Sequence, residues 1–84
     1  MTDARAIDEL RTRFQTDLAS ASTPRDLQAV RDRYLGRKGG AIAGLMKEVA
    51  AASADDRPTL GRLANELKRD IDQALRERRA AAGA

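Results

Sequence analysis

A long apolar stripe near the C-terminal end limits the fold of this chain more than any other feature. Leu60, Ala64, Leu67, Ile71, Ala74 and Arg78 follow one another at alternating spacings of four and three, and Leu63 and Leu75 widen the band. Residues three and four apart share one face of an α-helix, so this period is helical, and it is the seam of an antiparallel or coiled-coil helix pair. A helix over residues 56–82 is roughly 40 Å long at about 1.5 Å per residue. The whole chain has 84 residues, and a rod of that length does not fit inside a compact globule of this size. The expected fold is therefore all-α: an elongated antiparallel helical hairpin, or a small open bundle of three to four helices with one long C-terminal helix. The first two helices are expected to cover part of the rod.

The remaining elements follow from shorter stripes and their punctuation. Ile7, Leu10, Phe14 and Leu18 place one face on a first helix over residues 3–20. Thr23-Pro24-Arg25-Asp26 reads as a start signal, with Thr23 as N-cap, Pro24 at the first helical position and Asp26 in the first turn. Leu27, Val30, Tyr34 and Leu35 carry the second helix, 24–35, and Gly36 is expected to end it by adopting positive φ. Ile42, Leu45, Met46 and Val49 predict a third, 42–51. Ser53-Ala54-Asp55-Asp56 supplies a further cap, its acids near the positive end of the fourth helix rather than paired as an acid and a base. Pro58 is tolerated if that helix begins at Asp56 and strains it if it begins at Ser53. Within it, Gly61 is expected to permit close approach of a neighbouring helix, and Asn65 to fix register or hydrogen-bond across the hairpin. The tail from Ala80 to Ala84 is low in complexity and expected to fray.

Composition excludes several classes of function. A chain this short forms one small domain, burying only roughly 60% of the surface its unfolded form exposes. Its aromatic side chains are Phe14 and Tyr34, which leaves the core to Leu, Ile, Val and Ala. Without Cys or His there is no disulfide framework, no plausible zinc site and none of the usual nucleophile and base constellations. No catalytic or metal-ligating residue is assigned, and no cofactor to this chain itself. No apolar run approaches the eighteen or so residues of a membrane span, and the N-terminus lacks a signal peptide's apolar stretch. The chain reads as soluble, with no membrane partner, and as suited to the cytoplasm.

Net charge is +3, and residues 37–84 hold the excess, ten Arg or Lys against seven Asp or Glu, whereas residues 1–36 balance at six and six. On the fourth helix Arg62, Arg69 and Arg76 recur every seven residues, a nearly straight row with a step of roughly 10.5 Å, and Lys68, Arg78 and Arg79 lie nearby. One reading is a solvated face laced by pairs such as Asp72 with Arg76. The other is a row of guanidiniums that follows a phosphate backbone. Arg31, Arg33, Arg37 and Lys38 form a second basic cluster, expected at one tip. Arg31 and Arg33 point to different faces, so Arg37 and Lys38, flanked by Gly36 and Gly39, are expected to contribute most. No array of stacking aromatics supports base readout, and Tyr34 belongs to an apolar stripe.

Tyr34-Leu35-Gly36-Arg37-Lys38-Gly39, then Asp56-Arg57-Pro58-Thr59-Leu60-Gly61, then Asn65-Glu66-Leu67-Lys68 is an order of motifs that resembles the N-terminal helical arm of bacterial phenylalanyl-tRNA synthetase alpha subunits. The resemblance runs from about Thr23 to about Arg79. One departure is visible: the family usually follows its basic turn with a Leu-Thr pair, where Gly39-Gly40-Ala41-Ile42 stands here. The resemblance implies that residues 1–84 are a single tRNA-binding arm contacting the body of tRNA(Phe). It also implies that the complete enzyme joins phenylalanine to tRNA(Phe) with ATP and Mg²⁺, as an αβ heterotetramer of the alpha subunit with a beta subunit. The nucleic-acid-binding candidates are then Arg33, Arg37, Lys38, Arg62, Lys68, Arg69 and Arg76, with Gly36 and Gly39 shaping the turn. A helical protein–protein interaction or self-association module, using an uncovered part of the long seam, is the alternative.

Overall fold

Four helices form where the apolar periods lie. The computed structural model describes residues 3–37 and 39–83, with Ala82 and Gly83 described through their backbone only. Helix α1 spans Ala4–Ser20 and opens on Asp3, whose carboxylate accepts the Ala6 N–H at 2.9 Å. Helix α2 spans Pro24–Leu35; the Thr23 hydroxyl accepts the Asp26 N–H at 3.1 Å, and the Asp26 carboxylate in turn accepts the Ser22 N–H at 3.1 Å. These reciprocal bonds satisfy donors that a helix start leaves unpaired. Helix α3 spans Ala41–Ala50 from an N-cap, Gly40, that offers no side-chain bond. Helix α4 spans Arg57–Gly83, so Pro58 stands in its first turn, where its missing N–H costs nothing. Ser53 accepts both the Asp56 and the Arg57 N–H through its carbonyl, which makes 53–57 a turn before the helix.

The seam of α4 is the centre of the molecule. Leu60, Ala64, Leu67, Ile71 and Leu75 are each 6% exposed or less, while Ala74, expected in the seam, is half-buried and Leu75 takes its place. Ile7 and Phe14 of α1, Leu27, Val30 and Tyr34 of α2, and Ile42, Leu45 and Val49 of α3 belong to the same core. All three shorter helices pack on α4, so α3 joins the first two in covering it. Between Leu60 and Leu75 the seam's centre is covered, while Leu63 and Ala74 at its margins are half-buried. The result is a rod of 45 × 20 × 16 Å.

Cross-helix contacts give the directions. Arg11 meets Asp70 and Arg78 meets the Ala21 carbonyl, so α1 runs parallel to α4. Arg31 faces Asp72, whereas Leu35, four residues later, shares a hollow with Asn65 and Lys68, so α2 runs antiparallel to it. Val49, near the end of α3, lies beside Gly61 near the start of α4. Helices α2 and α3 thus succeed each other along α4 as one broken arm of a hairpin, and the connection 51–56 turns its end. The basic turn at 36–40, expected at a tip, is instead the joint between α2 and α3 beside the body of α4.

Two glycine expectations change. Gly36 keeps φ −59° and ψ 143°; the positive φ falls on Gly39, at 76°. Gly36 is required for another reason, because a Cβ there would stand 2.4 Å from the Asp32 carbonyl oxygen. A Cβ at Gly40 would lie 2.3 Å from the Gly36 carbonyl oxygen and 2.8 Å from its nitrogen. The Gly39-Gly40 departure is thereby explained: the joint folds back on its own backbone. Gly61 is not a close-approach site, since its added Cβ would sit 3.9 Å from the Val49 Cγ1, an ordinary contact. Asn65 is exposed, because one residue past Ala64 turns about 100° around the helix and out of the seam.

Gly44, in the middle of α3 with no atom within 4 Å of an added Cβ, and Gly40 make a paired prediction. Gly44→Ala should stabilise the chain by about 0.5–1 kcal/mol by removing unfolded-state freedom, and Gly40→Ala should destabilise it by about 2 kcal/mol or more through the backbone clash. Urea unfolding midpoints of the two variants beside the parent check both signs.

Candidate nucleic-acid interface

The positions of the candidate cations follow from what holds the helices together. Tyr34 is 1% exposed and meets Phe14 edge to face, with ring centroids 5.3 Å apart, a favoured aromatic geometry. Its hydroxyl donates to Asp17 Oδ2 at 2.6 Å, and Arg33 Nη1 donates to the same oxygen at 3.2 Å. Burial, and the bond to Asp17, push the Tyr34 phenol up to about 12. The Tyr34 bond, with help from Arg33, holds the Asp17 carboxyl below its ordinary value. Core packing of Tyr34 is thus as expected. Arg33 is drawn toward α1 and Arg31 turns toward α4, so the two point to different faces, as their spacing predicts. Arg37 is exposed on the joint; Lys38 lies outside the described residues.

On α4 the charges are sorted by flank. Asp70 accepts from Arg11 of α1 at 2.6 Å; Glu66 and Glu77, four residues before and seven after it, share that side of the helix by spacing. Glu77 also accepts from Gln73 at 3.1 Å. Lys68, Arg69, Arg76 and Arg79 fall on the side of α2, where Asp72 is the acid of α4 among them. Arg76 Nε lies 3.1 Å from Asp72 Oδ2, the i,i+4 ion pair that spacing predicts. Arg62, Lys68 and Arg69 are exposed and carry no ion pair among the described residues. Arg62, Arg69 and Arg76 do form an outward row, with Glu66 lying between the first two. Arg78, in the seam by spacing, reaches back to the Ala21 carbonyl at 3.3 Å and ties the end of α1 to α4.

Two cations that motif reading leaves unassigned come to this flank. Arg31 Nη1 approaches Asp72 Oδ1 at 3.9 Å. Arg79 shares a hollow with Arg31, Arg76 and Pro24, and Arg31 also borders the neighbouring hollow with Lys68, Arg69 and Asn65. A signal existed: Arg79 is three residues past Arg76, and Arg31 is one turn from both Leu27 and Leu35, on the edge of the α2 stripe. Chemically the arrangement offers guanidiniums and one ammonium on a rigid rod. Among the described residues no group of three or more acidic side chains is placed to hold a metal ion, and no helix is long and apolar enough to cross a membrane.

Residues 22–84 match the family of class II aminoacyl-tRNA synthetase N-terminal domains, and the chain belongs to that family. The match begins just past α1. Among curated proteins the chain is similar to the phenylalanine–tRNA ligase alpha subunit of Desulfatibacillum aliphaticivorans, 47% identical over 69 residues, 82% of this chain and 20% of that protein. The same subunit of Desulforamulus reducens is 45% identical over 75 residues, covering 86% and 22%, and that of Staphylococcus aureus is 36% identical over 78 residues, covering 93% and 22%. The chain therefore spans about a fifth of the length of the curated relatives it matches. No solved structure matches it significantly.

The Tyr34–Asp17 bond sets a pH dependence with a definite sign. An unfolded tyrosine titrates near 10.0 and Tyr34 in the fold at about 12. Below pH 10 both states keep the proton. Between 10 and 12 the unfolded chain loses it while the folded chain holds it, so stability falls as pH rises through that window, by about 2–3 kcal/mol in all. Asp17 acts in the opposite window: its contribution is present above 3.8 and is lost as pH falls below it. Urea midpoints at pH 8 and 11.5 should drop more for the parent than for Tyr34→Phe; equal drops would rule out the linkage. Lysine titration is common to both proteins and cancels in the comparison.

Proposed function

We propose that residues 1–84 act as one tRNA-binding arm of a phenylalanine–tRNA ligase alpha subunit, positioning tRNA(Phe) through its phosphates while the remainder of the enzyme does the chemistry. The observation that carries this reading is the row of exposed cations on α4, with Arg62, Lys68 and Arg69 lacking any ion pair among the described residues, in a chain of this family. A 27-residue helix with its seam packed on three others is stiff. Charges fixed on a stiff rod meet a folded RNA by shape, without paying to order themselves. Arg37 on the joint, Lys38 next to it in the sequence, and Arg33 and Arg76 once released from Asp17 and Asp72, would add to the same field. Gly36 and Gly39 would serve by allowing the joint that presents Arg37.

On this reading the arm works in the cytoplasm, with the rest of the alpha subunit and a beta subunit as its protein partners in an αβ heterotetramer. ATP and Mg²⁺ belong to the complete enzyme, and no catalytic step is derived from the residues of this chain.

Labelled tRNA(Phe) titrated with the chain across a salt series tests the proposal. Affinity should fall steeply with salt, and Arg62→Ala with Arg69→Ala should weaken it about tenfold and lower the log–log salt slope by about 1–2, the value for two phosphate contacts. Binding that ignores salt, or no binding even at low salt, would refute the phosphate mechanism.

A further inference from the structure

Resting on the RNA-arm reading, we propose that the groove between α2 and α4 is the track that receives an RNA sugar–phosphate backbone, and that the Asp72 carboxylate holds a phosphate's place in it until RNA binds. The argument starts from the sorting of charge on α4. Its other acids are turned away: Asp70 is taken by Arg11, Glu77 by Gln73, and Glu66 lies by spacing on the same flank as both. The α2 flank keeps Lys68, Arg69, Arg76 and Arg79, and α2 adds Arg31 from across the groove. Asp32 on α2 is engaged by the Gln28 amide at 3.0 Å. Five cations thus surround Asp72 over a length of roughly 16 Å, from Lys68 to Arg79 at about 1.5 Å per residue.

Asp72 itself shows what the groove is shaped to hold. Each of its carboxylate oxygens faces a different arginine as a loose ion pair: Oδ1 lies 3.9 Å from Arg31 Nη1, and Oδ2 lies 3.1 Å from Arg76 Nε. A phosphodiester presents the same two anionic oxygens on one centre, and guanidinium is the group that best matches them. The two arginine side chains are 48% and 78% exposed, and exposed ion pairs are weak enough to exchange. The clamp is therefore preset by an internal anion that a phosphate can displace. An acidic peptide is the less suited occupant. Of the groove's apolar lining Leu27 and Leu75 are buried, which leaves a peptide only the half-buried Leu35 and the exposed Pro24 as apolar anchors, neither of them an aromatic of the kind that holds interfaces together.

The test uses this chain, a labelled tRNA(Phe) transcript, a salt series and three variants, with far-UV circular dichroism to confirm that helix content is kept. Arg31→Gln with Arg79→Gln should weaken binding about tenfold and reduce the salt slope by about 1–2. Asp72→Asn, which frees two guanidiniums, should tighten binding about threefold. If the arginine pair changes nothing while Arg37→Ala weakens binding, the groove is not the track and the RNA-arm reading stands without it. If Asp72→Asn weakens binding, the carboxylate supports the site instead of competing for it, and the place-holder role is overturned. Polyglutamate binding as tightly as the RNA would overturn RNA as the occupant. A parent chain that binds no tRNA at any salt would overturn the groove and the arm together.

Discussion

Burial of the α4 seam is the interaction on which everything else in this molecule depends. Leu67 and Ile71 are 0% exposed, and no single partner helix accomplishes that. Helices α2 and α3 cover the seam in succession from one side, and α1 closes it from another. With only Phe14 and Tyr34 as large aromatic groups, packing has to come from short, close helix contacts, as Ala64 at 0% exposure shows. The polar joints are placed at the margins of this core: Arg11–Asp70, Arg33–Asp17 and Arg78 to the Ala21 carbonyl all involve α1. Such exposed pairs add little stability, but they set the register of α1 against the rest.

A second constraint, the backbone joint at 36–40, allows one helical arm to become two. Had α2 continued, its stripe would have had to follow α4 over the whole length of the seam. Breaking it lets α3 start with its own rotation and bring Ile42, Leu45 and Val49 into the core. The cost is a turn so tight that neither Gly36 nor Gly40 has room for a Cβ, and α3 begins without a side-chain cap. Its amides at that end must find solvent or other partners.

Much of this was legible in the chain itself, and the failures have a common physical origin. The Thr23-Pro24-Asp26 cap, the stripe of α1 and the length of α4 are local or periodic features, and they place these helices within one residue of their observed bounds. The outward exposure of Arg62, Lys68 and Arg69 follows from the same period. A glycine at a helix end points to a positive-φ terminus, because αL caps are usually glycine, whereas the need for Gly36 is set by the Asp32 carbonyl and by a fold-back visible only in three dimensions. Arg31 and Arg33 were correctly separated onto two faces, but which neighbour each would meet depends on the angles at which α1 and α4 approach α2. Asp17 and Asp72 are far from them in sequence, and no spacing rule connects them.

Helical geometry also explains why the charge pattern has functional consequences beyond net charge. An excess of +3 spread evenly over 84 residues would create no directional field. Here each acid of α4's α1-facing flank is matched by a donor or set apart by spacing, so the positive excess is left on the α2 flank and the joint. A low-dielectric core beneath such a flank concentrates its field on the solvent side, and screening within about 10 Å at ordinary salt confines that field to close approach. On the proposed reading, such a rod would act on a polyanion only at close approach. Association would then be governed by how well the partner's shape follows the rod, which is the mode of recognition expected for a folded RNA.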